Sequence, residues 1–331
     1  MLDKLLRSAT AARSQQVWDE PSLLMMDSIW RATQYLSGST SNRIPYEIVY
    51  ALKHALADWG LTDCIITTSL VKSSDFLCER ISQTPKKISE LLDTSFDHDL
   101  VQIAFPEIFQ HSPIFCTPLY HEIGHYVEER RLSIKAIATQ RADDLMEILP
   151  DRGYFSHSLE TPKRRKIIFN HLIEHFCDLF SASYVGECAS FYIQELSFYQ
   201  EATESHPSTA SRVRTIENFV NDVSDPFVDL LKEATKGETG EFLLKRRFQM
   251  PDIEDSFSDV RPFKISSEAE MHGIFPAALG LLKKSILSDG NTSIRAVPDA
   301  DRWSTVVNDL TEKSIRNFMI EQAWHGHMDK T

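Results

Sequence analysis

The sequence predicts an α+β fold that is predominantly helical. Apolar residues at helical spacing occupy most of the 331-residue chain, and several of these segments have clear start and stop signals. Only two short segments have the β-branched or alternating pattern of strands. Internal repeats and low-complexity tracts are not evident. We therefore expect a few strands beside a larger set of helices.

The N-terminal part of the chain predicts a helix followed by a strand. Pro45 suits the first turn of a helix and Gly60 suits its end. Residues 64–71, with the sequence CIITTSLV, predict a strand. A second short helix is expected to begin at Thr84-Pro85. The apolar positions of the first helix follow helical spacing at Ile48, Leu52, Ala55 and Trp59.

A strand and two helices follow in the middle of the chain. Residues 101–105 alternate in polarity and predict a half-buried strand. Residues 118–130 predict a helix, and a second, longer helix is expected from Thr161-Pro162 to about Val185, where Gly186 ends or bends it. The apolar side of the shorter helix is formed by Leu119, Ile123, Tyr126 and Val127.

Three regions are expected along the chain. They are a helical N-terminal region of residues 1–95, a core of residues 96–225 and a helical C-terminal region of residues 226–331. Within the last region, residues 251–262 predict a weakly structured insert, and a final helix is expected to end near Trp324. Glycine and proline are too few to mark linkers, so the boundaries are soft and one compact unit is also consistent with the sequence.

Net charge argues against nucleic acid as a partner. The chain has 35 Lys plus Arg against 48 Asp plus Glu, a formal charge of −13. Phosphate binding needs clustered cations, whereas the basic runs here, residues 163–166 and 245–247, are short. Both runs are interpreted as solvated helix faces.

A cytoplasmic protein without membrane spans is expected. The longest apolar stretch, residues 273–282, contains Pro276 and falls short of the ~18 apolar residues that a span requires. The N-terminal residues are charged and lack a signal-peptide pattern. Five cysteines form no CxxC pair, which favours free thiols in a reducing compartment.

The most informative motif is HExxH at residues 121–125. On a helix, His121 and His125 project from one face about one turn apart, which suits two imidazoles on one Zn²⁺. Glu122 is then placed to act as a general base. Gly124 is costly inside a helix unless another element packs closely against it.

A third metal ligand is expected from the long helix. Glu174 and Asp178 form an ExxxD pair, in which Glu174 would bind the metal and Asp178 would accept a hydrogen bond from a ligand histidine. Helical spacing does not separate Glu174 from His175 as the third ligand. A metzincin pattern is excluded because positions 128 and 131 are Glu and Arg.

These residues resemble the gluzincin group of zinc metallopeptidases, which combine HExxH on one helix with a glutamate ligand on the next. A further segment, His206-Pro207 to Arg212-Val213, is similar to the His-Pro-x4-Arg-Ile segment of the CAAX-prenyl-protease-like and heat-shock-protease-like members. Val213 stands where those members have Ile. The resemblance covers about residues 100–220, and the membrane spans of these relatives are missing from the sequence.

The resemblance implies a zincin-like core and a zinc-dependent peptidase. It implies that His206 stabilises the oxyanion and that Arg212 braces the site or touches substrate. The expected partner is a protein or peptide substrate, and the expected role is selective intracellular endoproteolysis in regulation, stress or defence. The strand of residues 101–105, or residues 113–116, is expected to pair with an extended substrate.

Several alternatives remain open from the sequence. Residues 171–175 form an inverted HxxEH motif, in which His171 and His175 bind metal, Glu174 is the base and Glu254 would be a distant third ligand. Cys116 and Cys177 are alternative zinc ligands as thiolates, although the sequence favours a buried apolar role for both. His325 and His327 are expected to lie in an exposed tail. Functionally, the alternatives are a non-catalytic interaction protein with a structural zinc and hydrolysis of a non-peptide amide.

Overall fold

The computed structural model describes residues 46–73, 76–80, 98–131, 133–140, 145, 147–151, 161–196, 199–236, 240–287 and 300–328, together with residues 26 and 30. The predicted helix at Thr84-Pro85 lies outside these residues. Two compact units are present: Thr62–Glu107 belongs to one, and Pro45–Leu61 with Ile108–Thr331 belongs to the other. These units divide the chain differently from the three predicted regions, which remain a prediction.

The strands and short helical turns have the following bounds. The strands are β1 (Cys64–Val71), β2 (Leu77–Arg80) and β3 (Asp99–Pro106), followed by 3₁₀ turns at Glu107–Phe109 and Pro113–Cys116. The helices are α1 (Tyr46–Asp58), α2 (Pro118–Arg131), α3 (Ser133–Gln140), α4 (Thr161–Val185), α5 (Cys188–Phe191), α6 (Thr209–Val220), α7 (Pro226–Ala234), α8 (Glu254–Ser258), α9 (Glu268–Leu287) and α10 (Ala300–Met328). A π-helical segment, Tyr192–Leu196, follows α5. The described chain is therefore α+β and predominantly helical, as predicted.

The sheet has the order β1-β3-β2. β1 runs parallel to β3 and β2 runs antiparallel to it, so residues 101–104 are paired on both sides. Val101 to Pro106 are all buried, which shows that the predicted half-burial of this strand is wrong. The predicted substrate pairing is also wrong, because β3 has no free edge over residues 101–104 and Pro113–Cys116 is a 3₁₀ turn.

Aromatic side chains fill the core of the helical unit. Trp59, at the end of α1, lies 5.7 Å from Phe176 and 5.6 Å from Phe180 between ring centroids. Tyr120 of α2 stacks on Tyr184 of α4 at 5.7 Å, and all five rings are buried. Fully burying one such side chain contributes about 1.5–3 kcal/mol, so this cluster fixes α1, α2 and α4 against one another.

Residues 245–250 form an extended strap between two helices. The backbone N–H of Arg247 donates to Ser183 of α4, and that of Gln249 donates to Ala269 of α9, at 2.7 and 2.9 Å. A Cβ at Gly273 would overlap the Gln249 carbonyl, so only glycine allows this close approach. Arg247 pairs with Asp58 at 3.1 Å. The run of residues 245–247 is therefore not the solvated helix face that was predicted.

The other sequence-based expectations on elements agree with the structure at α1 and α4, but not in the predicted insert of residues 251–262, where Glu254–Ser258 form α8, or in the predicted C-terminal tail. α1 and α4 begin and end where predicted, with Gly60 and Gly186 at φ +66° and +51°. Residues 163–166 lie in the first turns of α4 with Lys163, Arg165 and Lys166 exposed. α10 runs to Met328, so exposed His325 lies in a helix rather than in a tail. Among the described helices, none combines the length and apolar composition that a membrane crossing requires.

Candidate metal centre

The histidines of the HExxH motif lie on the less buried side of α2. Pro118 begins this helix, which suits a residue without a backbone N–H. Its apolar side is buried against the core, as predicted, at Leu119, Ile123, Tyr126 and Val127. Because His121 and His125 are four residues apart, both imidazoles project from the opposite side of the helix. Their ring centroids are 5.0 Å apart.

α2 and α4 cross closely at a glycine. A Cβ built on Gly124 would lie 3.0 Å from Cα and 3.2 Å from Sγ of Cys177. A side chain at this position would therefore push the two helices apart by a few tenths of an ångström. The close packing expected at Gly124 is present, and it brings the HExxH helix directly against the helix that carries Glu174 and Asp178.

Glu174 lies between the two histidines of α2. Its Oε2 is 3.3 Å from Nε2 of His121, and its Oε1 is 3.5 Å from Nε2 of His125. Ligands bound about 2.0–2.1 Å from a tetrahedral zinc are about 3.3 Å from one another. Each of these two contacts therefore has about the separation of two zinc ligands, and the contacts use different oxygens of Glu174.

Asp178 orients His121. Nδ1 of His121 lies 2.9 Å from Oδ1 of Asp178, and the same carboxylate accepts two hydrogen bonds from Arg212, at 2.8 and 2.7 Å. The predicted hydrogen bond between Asp178 and a histidine of the motif is thus present. Burial opposes ionisation of Asp178, but Arg212 and His121 outweigh it and hold the pKa of Asp178 well below its usual range.

The protonation of the cluster is strongly perturbed. Burial lowers the pKa of His121, but hydrogen bonds with Asp178 and Glu174 outweigh it and raise that pKa to about 10. Burial, followed by the nearby charge of His121, lowers the pKa of His125 to about 4. Burial opposes ionisation of Glu174, yet His121 and Arg212 lower its pKa to about 2. The pKa of Glu122 is raised, chiefly by burial.

His206 and Arg212 lie at the same centre, His206 just before α6 and Arg212 within it. Nε2 of His206 is 3.8 Å from Oε1 of Glu174, and Nη2 of Arg212 is 3.8 Å from Oε2. The side chain of His206 is 49% exposed and that of His125 is 34% exposed, against 10% for Glu174. The centre is therefore open to solvent on the side of His125 and His206.

Asp151 supports the helix that carries Arg212, and sequence reasoning missed it. Its carboxylate accepts hydrogen bonds from the backbone N–H and hydroxyl of Ser208 and from the hydroxyl of Ser211, at 2.7–2.8 Å. Ser208 is also the N-cap of α6 and accepts from the Ser211 N–H. These bonds lower the pKa of Asp151 against the effect of its partial burial.

The inverted motif is not assembled into a metal centre in the described residues. His171 Nε2 is 2.7 Å from the Thr203 carbonyl, which can only accept a hydrogen bond, so this nitrogen carries a proton. His175 packs its ring against Phe227 at 4.9 Å, and its buried Nδ1 has no described hydrogen-bond partner. Glu254 pairs with Lys284 at 3.0 Å on an exposed surface.

The two cysteines near the motif are both buried. Cys116 lies 3.7 Å from the Phe109 carbonyl, and burial raises the pKa of its thiol. Cys177 lies close to the motif: its Sγ and one donor atom from each of His121 and His125 are within 4.8 Å of one another. Cys177 therefore remains an alternative ligand.

Sequence and structure comparisons do not identify a family for this chain. No protein-family model, curated protein or solved structure matches it. The chemistry of the centre must therefore be inferred from its own residues.

Proposed function

We propose that the protein is a zinc-dependent metallopeptidase with a zincin-like core. The observation that carries the proposal is the convergence of His121 Nε2 and His125 Nε2 on the two oxygens of Glu174, at 3.3 and 3.5 Å. Asp178 accepts the Nδ1–H of His121, so in the neutral imidazole the Nε2 lone pair faces a carboxylate oxygen. Two acceptors at this distance need a proton or a cation between them.

Zinc is the cation that this donor set favours. Two imidazoles and one carboxylate are the protein ligands of a common type of catalytic zinc site, which keeps a further position for water. The exposed side of the centre, at His125 and His206, supports access by water and substrate. A bound zinc would supply an activated water and polarise the scissile carbonyl.

The other residues have distinct roles in this proposal. Glu122 accepts a proton from the attacking water and later delivers it to the leaving amine, and its raised pKa suits this exchange. His206 donates a hydrogen bond to the oxyanion. Asp178 and Arg212 hold His121 in orientation through the short hydrogen bonds described above. The substrate is a protein or peptide, and selective endoproteolysis in the cytoplasm is the role we propose.

The first test measures zinc per chain and peptide hydrolysis. We expect one zinc in the wild type and a sharp loss in His125→Ala and Glu174→Ala, whereas His325→Ala, a change on an exposed part of α10, keeps it. Glu122→Gln is expected to keep zinc but to cleave a mixed peptide library at least about 10²-fold more slowly, because it cannot accept a proton. Cleavage by Glu122→Gln at the wild-type rate would refute the mechanism.

A structural zinc site is the second candidate, and the position of Cys177 favours it. If Cys177 joins His121, His125 and Glu174, four protein ligands close the site and leave no place for water. Cys177→Ala separates the two functions. The peptidase proposal expects zinc and hydrolysis to persist in this variant, whereas a structural site would lose its metal.

A further inference from the structure

The turn that carries His206 is closed by its own backbone. The Thr203 N–H donates to the His206 carbonyl at 2.8 Å, and the His206 N–H donates to the Thr203 hydroxyl at 3.0 Å. Nδ1 of His206 is also 2.8 Å from the hydroxyl of Ser205. These bonds tie Thr203 to the backbone of His206 across residues 203–206, called here the 203–206 turn, so a shift of Thr203 is expected to shift His206 as well.

α4 holds this turn through three side chains. Nε2 of His171 donates to the Thr203 carbonyl at 2.7 Å, and the Asn170 amide donates to the Glu204 carbonyl at 3.0 Å. Lys163 pairs with the Glu204 side chain at 2.6 Å, but both groups are at least half exposed. Exposed ion pairs contribute little, so the buried His171 is the principal attachment.

His171 connects the turn to the metal centre by the shortest route along α4. Glu174 lies three residues further along the same helix, about one turn away. A rigid helix thus joins the group that holds Thr203 to the carboxylate that His206 faces at 3.8 Å. Loss of the His171 hydrogen bond would free the 203–206 turn and leave the Glu174 side of the centre in place.

We propose that His171 is a positioning residue that acts through the Thr203 carbonyl to hold His206 over the centre. This inference rests on the proposed peptidase function, in which His206 contacts the reacting carbonyl. It assigns a role to one histidine of the inverted motif that does not involve metal binding. The Nε2–H donor is the essential feature, and the imidazole can be neutral.

Two substitutions at position 171 separate positioning from packing. His171→Leu fills the buried space without a donor, whereas His171→Gln retains a side-chain N–H that can reach a carbonyl. We expect His171→Leu to lower kcat about 10- to 100-fold with a smaller change in KM, because displacement of a catalytic group by about 1 Å has an effect of this size. His171→Gln should recover most of the loss, and His325→Leu is the matched control on an exposed helix.

A double substitution provides the sharpest kinetic test. If His171 acts only through His206, then His171→Leu combined with His206→Ala is no slower than His206→Ala alone. Losses that multiply would overturn the inference. So would an equal loss in His171→Gln and His171→Leu.

Amide hydrogen exchange in the full-length chain tests the attachment without using activity. His171→Leu is expected to speed exchange at the Thr203 and His206 amides by about 10-fold and to leave the amides of α4 unchanged. In His171→Gln, the Thr203 and His206 amides should exchange at nearly the wild-type rate. Unchanged exchange at both amides would overturn the inference while leaving the peptidase proposal intact. Faster exchange in a chain that binds no zinc and cleaves no peptide would instead show that the peptidase proposal, and the catalytic role of His171 with it, is wrong.

Discussion

Asp178 is the residue on which the geometry of the centre depends most. It is almost completely buried, it accepts two hydrogen bonds from Arg212, and it lies within hydrogen-bond distance of His121. Its ionised form compensates the buried guanidinium and accepts the Nδ1–H of His121, which turns Nε2 of that ring toward Glu174. Partners of this kind commonly change metal affinity or activity by about 10- to 100-fold when they are removed.

Asp178→Asn tests whether zinc binding depends on the negative charge of Asp178. The variant keeps the shape of the side chain but loses its charge, so the hydrogen bonds from Arg212 and His121 weaken. We expect the Kd for zinc to rise about 10- to 100-fold, measured by competition with a chelator. Asp58→Asn removes a less buried carboxylate that pairs with Arg247 away from the centre, and it should leave the Kd unchanged. Equal Kd values in the wild type and Asp178→Asn would contradict the role given to Asp178.

Residues on one helix face were predictable, whereas a residue distant in sequence was not. The i, i+4 spacing of His121 with His125 and of Glu174 with Asp178 follows from helix geometry alone. His206 and Arg212 were placed by resemblance to a motif. Asp151 bonds to Ser208 across 57 residues, and no periodicity links two such positions. The sequence at Ser208 is typical of a helix N-cap, but an N-cap pattern does not indicate that a distant carboxylate such as Asp151 binds there.

At the scale of elements, the crossing of α2 and α4 sets the width of the centre. Gly124 and Cys177 form the contact, and His121, His125 and Glu174 each lie within three residues of it along their helices. The amphipathic patterns predicted both helices and the need for a close neighbour at Gly124. The alternating pattern of residues 101–105 predicted one buried face of β3, and that prediction failed because Gln102 and Ala104 are also buried.

Two glycine substitutions measure how tightly the crossing is packed. Gly280 lies in α9, and a Cβ added there meets nothing within 4 Å. Gly280→Ala is therefore expected to raise the free energy of unfolding by about 0.5–1 kcal/mol through helix propensity. Gly124→Ala gains the same propensity but presses on the backbone of Cys177, and we expect a net loss of about 1–3 kcal/mol. Urea unfolding of both variants measures the difference; a gain in both would mean that the crossing is not close-packed.

At the scale of the whole molecule, acid sensitivity reflects carboxylates that are held ionised by the fold. Asp151 joins the segment before α4 to the start of α6, and folding lowers its pKa. A carboxylate with a lowered pKa stabilises the folded state above its usual pKa of about 4, and this contribution is lost as the pH falls through the lowered value. Part of the stability at neutral pH is therefore expected to disappear on acidification.

Asp151→Asn isolates this contribution. The variant should be less stable than the wild type at pH 7 and should lose less stability between about pH 5 and pH 3, because the titrating group has been removed. The midpoint of urea unfolding at several pH values measures both effects. Asp259→Asn alters an exposed carboxylate and should follow the wild-type pH profile. Parallel profiles for Asp151→Asn and the wild type would contradict the prediction.

The division of the chain was the least predictable property. The sheet unit, Thr62–Glu107, interrupts the helical unit in sequence, so α1 belongs with helices that follow the interruption. Composition gives no sign of this arrangement, because neither boundary contains a cluster of glycine or proline. Contacts between distant segments, such as that of Trp59 with Phe176 and Phe180, decide it instead.

The separation of α1 from its partners has a consequence for the order of events on the ribosome. The hydroxyl of Tyr184 lies 3.1 Å from the Ala55 carbonyl and from Asp58, across 129 and 126 residues. At a synthesis rate of about 5–20 residues per second, α1 emerges at least several seconds before α4 is complete. During that interval the apolar face of α1 lacks the surface on which it finally rests. Until Tyr184 has been made, this face is therefore exposed apolar surface of the kind that promotes aggregation of nascent chains.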